Sequence, residues 1–224
     1  MIDICIPLYI KNRGILRDCV TSIVKNTTVD YNLMVCVDGG SADDVSDIEL
    51  LLREIEQDAS YCKGVQLLHN KKVLYEAETV ARLLDAATSE FVVVFPVMND
   101  LNNSKWWAVL HTPFIRDSLC MLSSNEPKSL WRNVSHYAMT KTDVIGTEAI
   151  ILVKLKTVKS VGWRFKDVDM FIAQRLVDEF TKIGGRCWSA PSIEPKKLPY
   201  ENPPDLVRQE LDRRCESTEV EVVL

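Results

Sequence analysis

Short apolar runs and amphipathic stretches alternate through the first hundred residues. IDICIPLYI at 2–10 is an apolar run interrupted by Pro7, and it reads as a buried strand that ends in a loop. NRGILRDCVTSIVKNT at 12–27 places Ile15, Leu16, Cys19, Val20, Ile23 and Val24 at helical spacing, which predicts an amphipathic helix. LMVCVD at 33–38 predicts a second buried strand. GGSADD follows it as a turn whose two glycines tolerate backbone angles that other residues resist. A helix over 45–58, a strand VQLLHN at 65–70, a helix over 76–87 and a strand FVVVFPV at 91–97 come next, and then the polar loop MNDLNNSK.

The second half is less regular. AIILVKL at 149–155 reads as a strand. The segment 160–185 reads as a turn and then a helix carrying Met170, Phe171, Leu176, Val177 and Phe180, stopped by Gly184 and Gly185. CWSAPSI at 187–193 predicts a last short strand. Pro191, Pro195, Pro199, Pro203 and Pro204 then mark an extended tail. Within that tail LVRQELDRRCE predicts one more helix, and STEVEVVL is a strand or loose chain. Strands that are apolar throughout and separated by helices belong to a mainly parallel sheet covered on both faces. The expected fold class is therefore α/β. Right-handed crossovers put the loops after the strands on one edge, where open sheets of this kind bind ligands. Asp38 and Asp100 each follow a strand, so both can point into one crevice there.

Composition narrows the class without choosing a function. A chain of 224 residues, 46% hydrophobic and 26% charged, is neither disordered nor fibrous, and its length alone allows one large domain or two small ones. No apolar run approaches the roughly 20 residues that span a bilayer. Met1 runs straight into a strand without a basic start, so no signal peptide is expected. Seven cysteines, odd in number and with no CxxC pair, predict reduced and mostly buried thiols in a cytoplasmic protein. The net charge of -5 is uneven. Residues 201–224 hold seven acidic and three basic side chains, a net -4, which leaves -1 for the body. Residues 128–166 hold eight basic side chains against Asp143 and Glu148, a net +6, with Trp131, Tyr137, Trp163 and Phe165 interleaved. Such a stretch can hold phosphates and stack bases, or it can be a solvated surface over core aromatics.

Four pieces occur in order: IPLYIKNRGILRDCVTSIVKNT, VDGGSADD, SEFVVVFPVMND and VGWRFKDVDMFIAQRL. Together they resemble a family-2-type, inverting glycosyltransferase of the GT-A fold, which is a single Rossmann-like domain. The resemblance runs from residue 2 to about 190 and divides the domain into a nucleotide-sugar half, 1–110, and an acceptor half, 111–190, with 191–224 as a Pro-containing acidic tail. It implies a soluble enzyme that moves a sugar from a nucleotide-diphosphate donor to an acceptor hydroxyl. Pro7, Leu8 and Tyr9 would line the nucleotide pocket, and Asp38, with Gly39 beside it in the turn, would meet the base. A carboxylate is a good partner for the imide N–H of uracil, which favours a UDP-sugar; the alternative is that Asp38 only starts the GG turn. The family's metal motif is two aspartates one residue apart, binding Mg²⁺ or Mn²⁺ against the diphosphate. Here the stretch is Met98-Asn99-Asp100, so Asp100 matches the second aspartate, Met98 stands at the first, and Asn99 lies between them on the donor side. No histidine follows His136 to act as the family's late ligand. In GWRFKDVDM, Asp167 matches the general base, with Lys166 beside it favouring its ionised form. Trp163 and Asp169 would contact the acceptor. Asp167 and Asp169 can equally be helix-start residues favoured by the dipole, and Trp163 can be core. Arg13 and Arg82 are candidates for the diphosphate, with surface salt bridges as the alternative.

Two other readings share the fold. A sugar-phosphate nucleotidyltransferase would resemble GxGTR…PK near the amino terminus, and IPLYIKNRG has neither that glycine-rich loop nor the matching lysine. A non-catalytic nucleotide-sugar-binding module would have lost metal binding with Met98. The +6 segment points to a polyanionic acceptor, and by analogy to a hydroxylated base in phage-type DNA. The QxxRW motif of processive synthases is missing.

Overall fold

In a computed structural model, the described residues are 1–111, 120–123, 140–141, 150–160, 182, 186–189 and 196–201. The main sheet has eight strands in the order β3-β2-β1-β4-β8-β6-β9-β7. These are β1 (Ile2–Tyr9), β2 (Tyr31–Asp38), β3 (Cys62–Asn70), β4 (Phe91–Val94), β6 (Cys120–Ser123), β7 (Thr140–Lys141), β8 (Ile151–Lys154) and β9 (Arg186–Ser189). β3, β2, β1 and β4 are parallel; β8 runs antiparallel to β4 and β6, β9 parallel to β6, and β7 antiparallel to β9. A separate two-stranded antiparallel ribbon pairs β5 (Asn99–Asp100) with β10 (Lys196–Lys197).

Strand alternation sorts the core into two layers. Ile2, Ile4, Ile6 and Leu8 of β1, Leu33, Val35 and Val37 of β2, Val93 and Leu152 share one face. They are covered by α1 (Arg13–Asn26), α2 (Ala42–Asp58) and α4 (Trp106–His111) through Leu16, Val20, Ile23, Ile48, Leu52, Trp106 and Leu110. Cys5, Met34, Cys36, Val92, Val94, Ile151 and Val153 face the other way, against α3 (Tyr75–Ala86) and α5 (Leu155–Ser160). Each fully buried aliphatic side chain contributes about 1.5–3 kcal/mol, so both helical layers are firmly held. The thiols Cys5, Cys19, Cys36 and Cys62 are free, the first three buried. Among the described residues no helix is long and apolar enough to cross a membrane.

Several boundaries differ from expectation for local reasons. β1 continues through Pro7 to Tyr9. The carbonyl of Cys5 accepts from the Phe95 N–H on the β4 side, so Pro7, two residues on, turns its missing donor to the same side, where β4 has already ended at Val94. β4 stops short of 97 because residues 96–99 form a turn closed from the Asn99 N–H to the Pro96 carbonyl, 3.1 Å. α2 begins three residues early because Ser41 and Asp44 form a capping box, a signal already present in SADD. The strand expected over 149–155 gives way at Leu155 to the short helix α5. Apart from Lys182, the long helix expected after 160 lies outside the described residues, as do the helix expected over LVRQELDRRCE and the segment STEVEVVL. Within the tail, residues 196–201 lie back on the body: the Leu198 N–H donates to the Met98 carbonyl at 2.7 Å, and Leu198 packs on the α1-side core.

Candidate functional site at the carboxyl edge of the parallel strands

The carboxyl ends of β1, β2 and β3 come together in register. Tyr9 pairs with Asp38, and Asp38 with Asn70. Pro7 and Tyr9 are half-buried on this edge. Gly39 and Gly40 follow with φ of +82° and +93°. A Cβ on Gly39 would come within 2.9 Å of Val73, and one on Gly40 within 2.8 Å of Ile10. Both glycines are therefore required by angle and by space, and they draw the loops after β1 and β3 against the turn after β2.

Asp38 is buried, and both its oxygens are engaged. Oδ1 accepts from Asn70 Nδ2 at 2.9 Å and from the Leu74 N–H at 2.8 Å, and Oδ2 accepts from the Tyr75 N–H at 2.9 Å. An ionised carboxylate offers about four acceptor positions, so roughly one remains for a ligand. The charge sits at the start of α3, where the helix dipole favours it. It also holds Tyr75 at φ +69°, a conformation costing about 1–2 kcal/mol in a residue with a Cβ. Asp38 is thus the fixed point from which the 71–75 loop is built, a role that nothing in VDGGSADD announces.

Arg82 reaches the same network. Its guanidinium donates to the His69 carbonyl at 3.2 Å and makes a short contact with Asn70 Oδ1. Asn70, fully ringed, also donates to Thr79 Oγ1 at 3.1 Å. The Cys36 thiol beneath them is pushed up to about 12 by burial, against the lowering effect of Arg82. It is a neutral neighbour in this network. Arg13, at the start of α1, ion-pairs with Asp44 of the α2 capping box on the exposed surface. The structure therefore brings Pro7, Tyr9, Asp38, Gly39 and Arg82 together, with Arg13 turned to Asp44 just beyond Gly40. Asn70 was not singled out from sequence; its signal was its place at the end of LLHN, the strand end matching Asp38.

Asn99 and Asp100 form a second cluster on β5 beyond the end of β4. Asn99 is buried and donates to the Pro96 carbonyl at 3.0 Å. Asp100 is half-buried, opposite Lys196 of β10. The buried Asn12, just after β1, clasps the backbone of Glu201 with two hydrogen bonds of 2.8 and 2.7 Å. The segment 196–201 thereby ties the Met98–Asp100 loop to the loop after β1. For a hard cation this cluster offers one carboxylate; a thioether at Met98 is a poor ligand for Mg²⁺ or Mn²⁺. No group of three metal-ligating side chains occurs among the described residues. Asp100 fits a cation whose other ligands are diphosphate oxygens and water, which is how Mg²⁺ is commonly held.

Asp167, Trp163 and Asp169 lie outside the described residues, as does most of the segment 128–166. Within that segment, Lys154 is committed to the fold: it pairs with Glu90 at 3.6 Å and lies 5.4 Å above the Phe91 ring. Phe91 and Lys154 are register partners at the start of β4, the edge opposite the glycine turn.

Comparison with solved structures places this arrangement in a known fold. The chain is similar to GalNAc-T7, solved with UDP, GalNAc and Mn²⁺, with a TM-score of 0.67 and 10% identity over 86% of this chain and 42% of that one. It is similar to the mannosyltransferase PcManGT from Pyrobaculum calidifontis in complex with GDP-Man and Mn²⁺, with a TM-score of 0.71 and 14% identity over 98% of this chain and 65% of that one. It is also similar to residues 1–349 of S. aureus TarS, with a TM-score of 0.62 and 11% identity over 84% of this chain and 57% of that one. The protein has the GT-A glycosyltransferase fold, and it spans about two fifths to two thirds of the length of these chains. No family model and no curated protein sequence matches the chain.

Proposed function

We propose that the protein is a glycosyltransferase that takes a sugar from a nucleoside-diphosphate donor, UDP-linked by preference, and delivers it to a hydroxyl with inversion. The carrying observation is that the Tyr9–Asp38–Gly39 edge and the Asp100 loop stand side by side on the carboxyl edge of a GT-A sheet, joined by the 196–201 segment. In this reading Pro7 and Tyr9 line the base and ribose. Asp38 uses its remaining acceptor position for the base imide, and Asn70 and Arg82 hold that carboxylate in place. Asp100, with Asn99 beside it, faces the diphosphate. Mg²⁺ or Mn²⁺ held by Asp100 and phosphate oxygens would draw charge onto the leaving diphosphate. Asp167 accepts the acceptor's proton as its oxygen attacks the anomeric carbon, and the C–O bond to the diphosphate breaks on the opposite side, inverting that centre.

The acceptor half would carry Trp163 and Asp169 against the acceptor. With Lys154 occupied at the far edge, a polyanionic acceptor such as hydroxylated DNA would be met by the other basic residues of 128–166. Binding to duplex DNA that weakens steeply with salt supports this acceptor, and absence of binding at low salt removes it. Met98 favours one second reading, a nucleotide-sugar-binding module without transfer. A screen of UDP- and GDP-sugars with Mn²⁺ that follows nucleoside-diphosphate release, with and without DNA, separates the two. Asp167→Asn should keep donor binding and lower transfer by about 10²–10⁴-fold; unchanged transfer removes Asp167 as the base.

A further inference from the structure

The geometry points to Lys196 as a diphosphate-binding residue of the donor site, an inference that rests on the reading above. β10 pairs antiparallel with β5, and Lys196 stands directly opposite Asp100. Directly opposed residues of an antiparallel pair project on the same face, with Cβ atoms about 4.5–5.5 Å apart. The lysine is exposed and Asp100 half-buried, so the ammonium is open to a ligand arriving from solvent at this loop. Three attachments fix the strand that carries it: the β5 ladder, the Leu198 N–H on the Met98 carbonyl at 2.7 Å, and the Asn12–Glu201 clasp. The cation is therefore presented from an ordered backbone.

The electrostatic need is clear. A nucleoside diphosphate brings two to three negative charges, and the loop that would receive it adds Asp100. With Met98 two residues before Asp100, this loop has one carboxylate with which to recruit a cation. Arg13 is drawn to Asp44, and Arg82 to Asn70 and His69. Lys196 brings a lysine to the position opposite Asp100 on a strand attached to the domain. A lysine acts here as a point charge toward phosphate oxygens.

The test titrates the full chain with UDP and GDP, once with Mn²⁺ and once in EDTA. Three variants are compared: Lys196→Gln, Lys196→Arg and, as an equal charge change at a distance, Lys63→Gln, whose lysine pairs with Asp30 at 3.1 Å. Lys196→Gln should weaken nucleoside-diphosphate binding by about 10–100-fold in both buffers, the loss of one charge-assisted bond. Lys196→Arg should restore most of it, and Lys63→Gln should match wild type. Thermal melts of all three should coincide with wild type, because the β5 pairing is made by backbone. Binding by Lys196→Gln within twofold of wild type overturns the role of Lys196 and leaves the glycosyltransferase reading standing. A wild-type chain that binds neither nucleotide in either buffer overturns the glycosyltransferase reading itself.

Discussion

Two buried aspartates sit at opposite ends of the parallel half of the main sheet. Asp3 is at the amino edge, the second residue of β1; Asp38 is at the carboxyl edge, the last residue of β2. Asp3 accepts four hydrogen bonds, from the Thr88 and Ser89 N–H groups at 2.7 and 2.8 Å, the Ser89 hydroxyl at 2.7 Å and the Asn32 amide at 2.8 Å. Asp38 accepts three. Burial by itself would raise the Asp3 pKa. The Ser89 N–H, the Asn32 amide, the Ser89 hydroxyl and the Thr88 N–H outweigh it and hold the carboxyl below the usual carboxylate range. Asp3 is saturated and latches the turn before β4 to β1. Asp38 has an acceptor position left and stands on the edge where strand-end loops converge. Burial and hydrogen bonding are alike at the two ends; place in the topology and unused capacity separate a latch from a binding group.

The largest expected stability effect is Asp3→Ala, which leaves four donors without their partner. Chemical denaturation should show a loss of about 3 kcal/mol, with nucleoside-diphosphate affinity unchanged under conditions where the variant is folded. Asp38→Asn should cost less stability, about 1–2 kcal/mol, but weaken nucleotide binding at least tenfold. Its new NH₂ group must face one of the backbone N–H groups of Leu74 or Tyr75. Equal effects of the two variants on binding would erase the distinction between the ends.

Gly40→Ala should lose about 1–2 kcal/mol in the same assay, from its positive φ and the closeness of Ile10. The pH dependence is a further discriminator. The depressed Asp3 carboxyl stabilises the fold above about pH 4, and that stabilisation fades as pH falls through its native value. An acid titration of stability should therefore flatten in Asp3→Asn. The smallest effect belongs to Arg17→Ala, which breaks an exposed pair with Glu54 of 3.0 Å and should change stability by under about 0.5 kcal/mol.

The parallel half was legible in the sequence because its signals are local. The runs at 2–10, 33–38, 65–70 and 91–97 and the helical spacing of Ile15 to Val24 define β1–β4 and α1 within a few residues. The GG turn was legible for the same reason, since only glycine sits easily at both angles. What could not be read was made by distant partners. Asp38 meets Leu74 and Tyr75, 36 and 37 residues away, and no spacing rule connects a strand end to the start of a later helix. The β5–β10 ribbon rests on two residues from each strand, too few to leave a pattern, and the prolines around Lys196 pointed only to an extended tail. Asn12 gave no signal either, because its partner is the backbone of Glu201, 189 positions on.

The most direct measurement is a titration of wild type, Asp3→Asn and Asp38→Asn with UDP and GDP, followed by calorimetry in the presence of Mn²⁺. Saturable binding of at least one nucleotide by wild type and Asp3→Asn, weakened at least tenfold in Asp38→Asn, is the expected result. Binding that is absent from wild type, or equal in the two variants, contradicts a nucleoside-diphosphate site at the carboxyl edge of this sheet.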